Sequence, residues 1–381
     1  MLRNVFHILL LLAISSSSFA QIKILFDATK AETVGNADWV IDEDNGTPQR
    51  IPTPAQSQIT AATPETFWTG ALSYWGIDCV NKGYTVETLP SNGKITYGTL
   101  TNAQDLSNYK AFVVDEPNII FTAAEKTAML NFVYNGGGLF IISDHSGADR
   151  NNDGNDPPHI WNDFFRNNGS GNTNPFGIML DSNDVSPNST FVLSVPANDT
   201  ILHGPMGNAT RLKYSQGTSM TINKSANPTV KGYFFTTAAG VTGSTNVLWA
   251  TARYGNGKVV VAGDSSPFDD STGTAGNTLY NGYTGDAGQS HLNLIVNSTI
   301  WLVSDTYPDY TFTGNGNWST TGNWMYNLVP PATLPKGSKI YIDNTAGGQC
   351  LLNVTQHIAT GASIIVNANK SLVVPGLLQV N

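Results

Sequence analysis

Four short, largely apolar runs that each stop at an aspartate constrain this chain most. Ile22–Phe26 leads to Asp27, Ala111–Val114 to Asp115, Leu139–Ser143 to Asp144, and Lys258–Gly263 to Asp264. Apolar runs of this length, bounded by turn residues, read as strands buried on both faces. Between the second and third runs the pattern changes period. Thr122 and Glu125 form a capping box, Ala128 with Phe132 and Met129 with Val133 share a helical face, and Gly136–Gly138 closes the helix. Strand–helix–strand alternation requires parallel pairing, so the expected fold is α/β, a flavodoxin-like doubly wound parallel sheet.

The flanking segments fit that frame. Phe67, Ala71, Tyr74 and Trp75 predict a helix over Pro64–Val80, and Tyr84–Leu89 a strand after it. Residues 170–250 alternate short β-like runs with Gly, Asn and Pro, as an antiparallel insertion would. Gly255-Asn256-Gly257 then predicts a hairpin returning to the sheet. Ser290 is placed to cap a last helix, His291 to Leu302. Beyond Tyr310 the chain turns β-rich with periodic Gly, like the first coils of a β-solenoid, and two coils alone bury no core. The expected organisation is a signal peptide at 1–20, an α/β domain at 21–305 and a small all-β, solenoid-like module at 306–381. The signal rests on Arg3, the apolar run Phe6–Ile14 and the small residues Ser18 and Ala20. It implies a secreted, periplasmic or cell-surface protein. No later segment is apolar enough to span a membrane.

Charged residues make up 12% of the chain and the net charge is −9, which argues against a nucleic-acid partner. Cys79 and Cys350 fall in different expected domains and read as two unpaired buried thiols.

If the four strands run parallel, their terminal carboxylates leave on one edge of the sheet. That edge also receives helix N-termini, so His291 is expected beside Asp27, Asp115, Asp144, His145 and Asp264. Clustered carboxylates repel one another and need a cation or a proton to be tolerated. Asp144, His145, Asp264 and His291 are the candidate catalytic groups, and Asp27 and Asp115 candidate ligands of a divalent metal that would activate water. A second cation is expected nearby. Asp149, Asn151, Asp153 and Asn155, with Gly154, follow the first half of a calcium loop. Ile160 holds the place of the usual bidentate Glu, so Asp156 or Asp163 would have to close the shell. Calcium there would be structural.

The segments FTAAEKTAMLNFVYNGGGLFIISDH and ARYGNGKVVVAGDSSPF resemble the class I glutamine amidotransferase-like superfamily, in its secreted ThuA-like and gliding-protein-like branches. The resemblance spans roughly residues 22–305 and implies the same flavodoxin-like sheet. Amidotransferases carry a nucleophilic Cys after the central strand. Asp144-His145 stands there instead, so glutaminase chemistry is not implied. The Asn317–Trp324 segment resembles β-rich extensions of secreted Bacteroidota proteins. Two functions are expected: a secreted metal-dependent hydrolase directed at a glycan or small molecule, or a non-catalytic, calcium-stabilised module binding carbohydrate or a surface. The second would need exposed aromatic faces, for which Trp39, Trp161 and Tyr283 are the candidates.

Overall fold

The computed structural model describes residues 21–381 except 44–46, 188–189, 196, 198, 239–240, 242, 278–279, 305–309, 326–328, 335–336, 376 and 381. The expected signal peptide at 1–20 lies outside the described residues. The first half runs Lys23–Asp27 (β1), Ser73–Asn81 (α1), Thr85–Leu89 (β2), Ala111–Asp115 (β3), Ala123–Tyr134 (α2), Gly138–Ile142 (β4) and Pro157–Arg166 (α3). Short strands follow: Ile178–Leu180 (β5), Phe191–Val192 (β6), His203–Gly204 (β7), Gly207–Asn208 (β8) and Met220–Ile222 (β9). Lys231–Phe235 (β10), Val247–Tyr254 (β11), Gly257–Ala262 (β12) and Ser290–Val303 (α4) complete the α/β part.

The main sheet has the order β2-β1-β3-β4-β12-β11-β10-β6. Its first five strands pair in parallel and β11 and β10 run antiparallel, as the α/β fold with an antiparallel insertion requires. Successive strand side chains point to opposite faces, and the two cores divide that way. Ile24, Phe26, Val113, Phe140, Ile142 and Val260 pack with Trp75 and Ile295 of α1 and α4. Leu25, Phe112, Val114, Leu139, Ile141 and Val259 pack with Met129 of α2 and Trp161 of α3. Both halves of the Thr122/Glu125 capping box form, and the 255–257 turn joins β11 to β12.

Three local expectations are corrected. The helix predicted over Pro64–Val80 starts only at Ser73, after a single 3-10 turn at Glu65–Phe67. Gly70 interrupts it: its φ is +148°, and a Cβ there would stand 2.7 Å from the Val40 carbonyl oxygen. Ser290 is the first residue of α4 rather than its cap. Its hydroxyl takes the Thr210 and Arg211 amides and donates to the Arg211 carbonyl. The Asp/Asn-rich stretch after β4 contains the unpredicted α3, capped by Asp156 with Pro157 and Pro158 in its first turn.

The C-terminal segment is a three-sided solenoid with parallel strand triplets on every side. Tyr310–Phe312, Lys339–Ile342 and Ser363–Val366 form one side. Gly316–Asn317, Cys350–Leu351 and Leu372–Val373 form the second, and Thr333–Leu334, Gln356–Ile358 and Leu378–Val380 the third. There are three coils rather than two, because the Asn317–Trp324 segment belongs to the first. Trp318 and Trp324 meet edge-on at 4.8 Å inside it, and this core is separate from those of the α/β part. Cys79 and Cys350 are both free and buried, in different cores. Among the described residues no helix is long and apolar enough to cross a membrane.

Trp39, Trp161 and Tyr283, the aromatic candidates for an exposed sugar face, are at most 2% exposed. Trp161 donates its indole N–H to the Ile142 carbonyl, and Tyr283 its hydroxyl to Asp78. They are core residues.

Candidate functional site

Sheet register brings the acids together. Asp115 pairs with Ile142 across β3 and β4, and Ile142 with Ala262 across β4 and β12. Asp144 and Asp264 therefore both leave two residues past that level on neighbouring strands. Glu116, directly after β3, has a φ of +45°, and its amide donates to the Ile142 carbonyl at 3.1 Å.

The cation among these acids is Arg150. Its Nε donates to Glu116, its Nη2 to Asp144 Oδ2 at 3.2 Å and its Nη1 to Asn36 Oδ1 at 2.6 Å. The guanidinium carbon lies 5.9 Å from the Trp39 ring centroid. The backbone amide of Arg150 donates to Asn118 Oδ1 at 2.9 Å, and the Asn118 side chain donates in turn to the Glu116 carbonyl. The loop after β4 is thus tied to the loop after β3. An arginine fork spans two carboxylates with fixed geometry, which a lysine cannot do.

Asp144 also holds its neighbour. Its Oδ1 accepts the His145 amide at 2.7 Å and faces His145 Nδ1 at 2.9 Å. The carboxylate makes Nδ1 the donor, so Nε2 carries the lone pair of the neutral ring and makes no hydrogen bond among the described residues. The same hydrogen bond holds the His145 pKa above the ordinary imidazole value of 6.5.

The remaining acids are biased against ionising. Burial, then repulsion from Glu116, Asp144, Asp264 and Asp269, pushes Asp115 well up, and neither of its oxygens has a partner among the described residues. Asp264 accepts the Ser266 amide on Oδ1 at 2.8 Å, while Oδ2 has no partner among the described residues. Burial, then Asp144, pushes its pKa well up too. In both, the surroundings favour the protonated form over the carboxylate. Asp269, pushed up to about 7 by burial, accepts the Ser271 and Tyr280 amides and thereby sets Tyr280 over the site.

Asp144, His145, Arg150 and Asp264 line a cavity of about 170 Å³ together with Gln216 and Tyr280. It adjoins a second cavity of about 260 Å³ through the shared Ser215, Ser266 and Tyr280.

Of the residues expected at this edge, Asp115, Asp144, His145 and Asp264 converge. Asp27 and His291 do not join them. Asp27 accepts the Thr29 amide and hydroxyl at 3.2 Å each and interacts with Glu32, and burial pushes its pKa up to about 6. His291 lines the second cavity with both ring nitrogens engaged. Its Nδ1 faces the Gly282 carbonyl at 2.8 Å and its Nε2 accepts the Lys213 amide at 2.9 Å, while burial lowers its pKa. That ring is neutral and fastens a loop to α4. It is not placed as a ligand or base.

At the expected metal sites the candidate side chains other than Asp115 are engaged with protein partners. Among the described residues no group of three or more His, Cys, Asp or Glu is arranged to hold a metal ion. At the strand edge, Arg150 supplies positive charge to Glu116 and Asp144. In the proposed calcium loop, Asp149 accepts the Asp153 and Gly154 amides. Asn151 donates to the Asn118 carbonyl and to Asp153, whose other oxygen takes the Asn155 amide. The two candidates for the missing closing ligand are committed elsewhere: Asp156 caps α3 and Asp163 pairs with Lys126. The turn closes on its own amides. Calcium added to the purified protein is therefore expected to leave Tm within about one degree, because only a ligand that binds the folded state raises it. A larger rise, abolished by Asp153→Ala, would restore the calcium loop.

Arg150 is the residue the sequence reading missed. It occupies a variable position of the Asp149–Asn155 pattern and was passed over for its neighbours. Its signal was available: a single cation inside an Asp/Asn run, in a chain with only 19 Lys and Arg. Asn36, Gln216 and Tyr280 carry no local signal, since they reach the cavity from distant loops.

No family model matches the chain, and no curated protein matches it. Among solved structures it is similar to the mmIFT52 N-terminal domain, at 16% identity over 74% of this chain and 97% of that one, with a TM-score of 0.44. A cytoplasmic protein from Salmonella typhimurium is similar at 13% identity over 74% and 99% of the two chains, with a TM-score of 0.40. So is a ThuA-like protein from Parabacteroides merdae, at 12% identity over 74% and 90%, with a TM-score of 0.35.

Proposed function

We propose that the protein is an exported, glycan-directed hydrolase that works by acid–base chemistry at the Asp144–His145 dyad and Asp264. One observation carries this reading: the unengaged Nε2 side of a carboxylate-held imidazole and a buried carboxyl group whose Oδ2 has no partner among the described residues line the same cavity. Two titratable groups whose surroundings give them opposite roles mark an acid–base pair. His145 takes a proton from water at Nε2 as the water oxygen attacks the anomeric carbon. Asp264 gives its proton to the departing oxygen as the carbon–oxygen bond breaks. Asp144 fixes the imidazole tautomer and stabilises the imidazolium, and Arg150 holds Asp144 in place. The hydroxyls and amides of Asn36, Ser215, Gln216 and Tyr280 in the cavity wall suit a polyhydroxylated ligand. No step runs through a metal.

The pH profile of kcat/KM tests the dyad. His145 must be neutral to accept a proton, so activity is expected to rise with pH through a pKa above 6.5. Asp144→Asn removes the group that raises this pKa, and the acid limb is expected to move to lower pH. A screen of glycoside substrates that finds sugar binding without turnover would replace the hydrolase with a binding module. An acid limb unmoved by Asp144→Asn would remove His145 from the base role.

A further inference from the structure

The second cavity is basic in a protein that is acidic overall. Arg211 and Lys213 line it, and Arg150 stands in the adjoining one, so three of the chain's 19 Lys and Arg meet along one cleft while the net charge is −9. Most of the acids among them are already spent. Asp286 is pinned to Arg211 and also accepts the Ser290 and His291 amides at the start of α4. Asp144 is shared between Arg150 and His145, and burial and the neighbouring Asp144 bias Asp264 toward its protonated form. Lys213 is the exception to this pairing: it is exposed, and among the described residues none of its hydrogen bonds or ion pairs involves the side chain. Its position is nonetheless built, because its own amide is fastened to the buried His291 ring at 2.9 Å. The loop after β12 and the 280–286 loop supply Ser266 and Tyr280 to the wall common to both cavities.

We propose that the second cavity is an anion subsite for an acidic sugar, with Lys213 and the outer face of Arg211 receiving a carboxylate or sulfate on the ring next to the one at His145. This inference rests on the hydrolase reading for the position of the reacting ring, and on the charge arrangement alone for the anion. A charge-assisted contact of this kind contributes roughly tenfold or more in affinity. It also makes binding sensitive to salt, since the subsite is open to solvent.

The test is calorimetric binding of galacturonate and chondroitin sulfate tetrasaccharides, each against an uncharged galactose tetrasaccharide, to the whole protein and to Lys213→Glu. At least one acidic probe is expected to bind about tenfold more tightly than the neutral one at low salt. Lys213→Glu is expected to bring that ratio to about one or below. Lys213→Gln, which removes the charge without reversing it, should fall between. No preference for either acidic probe, or a preference that survives Lys213→Glu, would overturn the subsite. Binding does not depend on turnover, so the two readings fail separately. A Lys213-dependent preference in a protein that hydrolyses none of the probes keeps the subsite and removes the hydrolase. Turnover without preference does the reverse.

Discussion

His145→Gln is expected to lower kcat by roughly 10²- to 10⁴-fold, the usual worth of a positioned general base. Gln keeps a side chain of similar length and an acceptor for the cavity but has no group that accepts a proton near neutral pH. The substitution is mild for folding, because His145 is 22% exposed and the Asp144 carboxylate keeps its bonds to the His145 amide and to Arg150. KM should change little, so the loss should appear in kcat. Asp264→Asn should show a comparable loss if Asp264 is the acid, since an amide cannot give up the proton the leaving oxygen needs. A kcat within a few-fold of wild type for both variants would remove these two residues from the chemistry.

Arg150→Met is expected to destabilise the fold by about 3–5 kcal/mol, the typical result of stripping one partner from a buried ion pair. The Arg150 side chain is 17% exposed, and the carboxylates it serves are 0% exposed at Glu116 and 5% at Asp144. Without the guanidinium, two buried carboxylates face Asp115 and Asp264 uncompensated. The loss should depend on pH with a definite sign. Burial, and then Asp144, raise the Glu116 pKa, and Arg150 acts against them. Removing Arg150 raises that pKa further. A carboxyl group whose pKa is raised on folding contributes stability that is complete below its unfolded value and lost as pH rises through its folded value. Arg150→Met should therefore cost more at about pH 8 than at about pH 5 in urea denaturation. Arg150→Lys should recover only part of the loss, because an ammonium cannot bridge Glu116, Asp144 and Asn36 together. A variant equally stable at both pH values would show that the cluster does not depend on this cation.

Much of the scaffold behind these expectations was legible without coordinates. The five parallel strands, the capped α2 and the β11–β12 hairpin are written in short-range signals: apolar runs, a Thr-x-x-Glu box and an Asn-Gly turn. Each depends on residues within a turn or two of one another. The convergence of Asp115, Asp144 and Asp264 followed as well, because parallel strands put their ends on one edge. Where the reading went astray, a distant contact had intervened. Gly70 breaks the predicted helix because the Val40 backbone lies against it. Ser290 gives up the capping role because its hydroxyl is drawn to the 210–211 backbone. Trp39, Trp161 and Tyr283 were expected on the surface for their chemistry, and the packing of loops and α3 buried them.

The amino-acid sequence by itself determined the strands of the parallel half of the sheet, their shared direction and the row of acids that ends four of them. Periodicity and capping act over a few residues, and the edge geometry follows from strand direction. Only the tertiary structure decided how deeply those acids are buried and the identity of their cation. Burial depends on which loops close over the edge, and the loop after β4 happens to bring Arg150 rather than a metal shell to Glu116 and Asp144. It decided in the same way that His145, with an unengaged nitrogen, faces a cavity, while His291, equally well placed along the chain, spends both nitrogens on backbone groups from elsewhere.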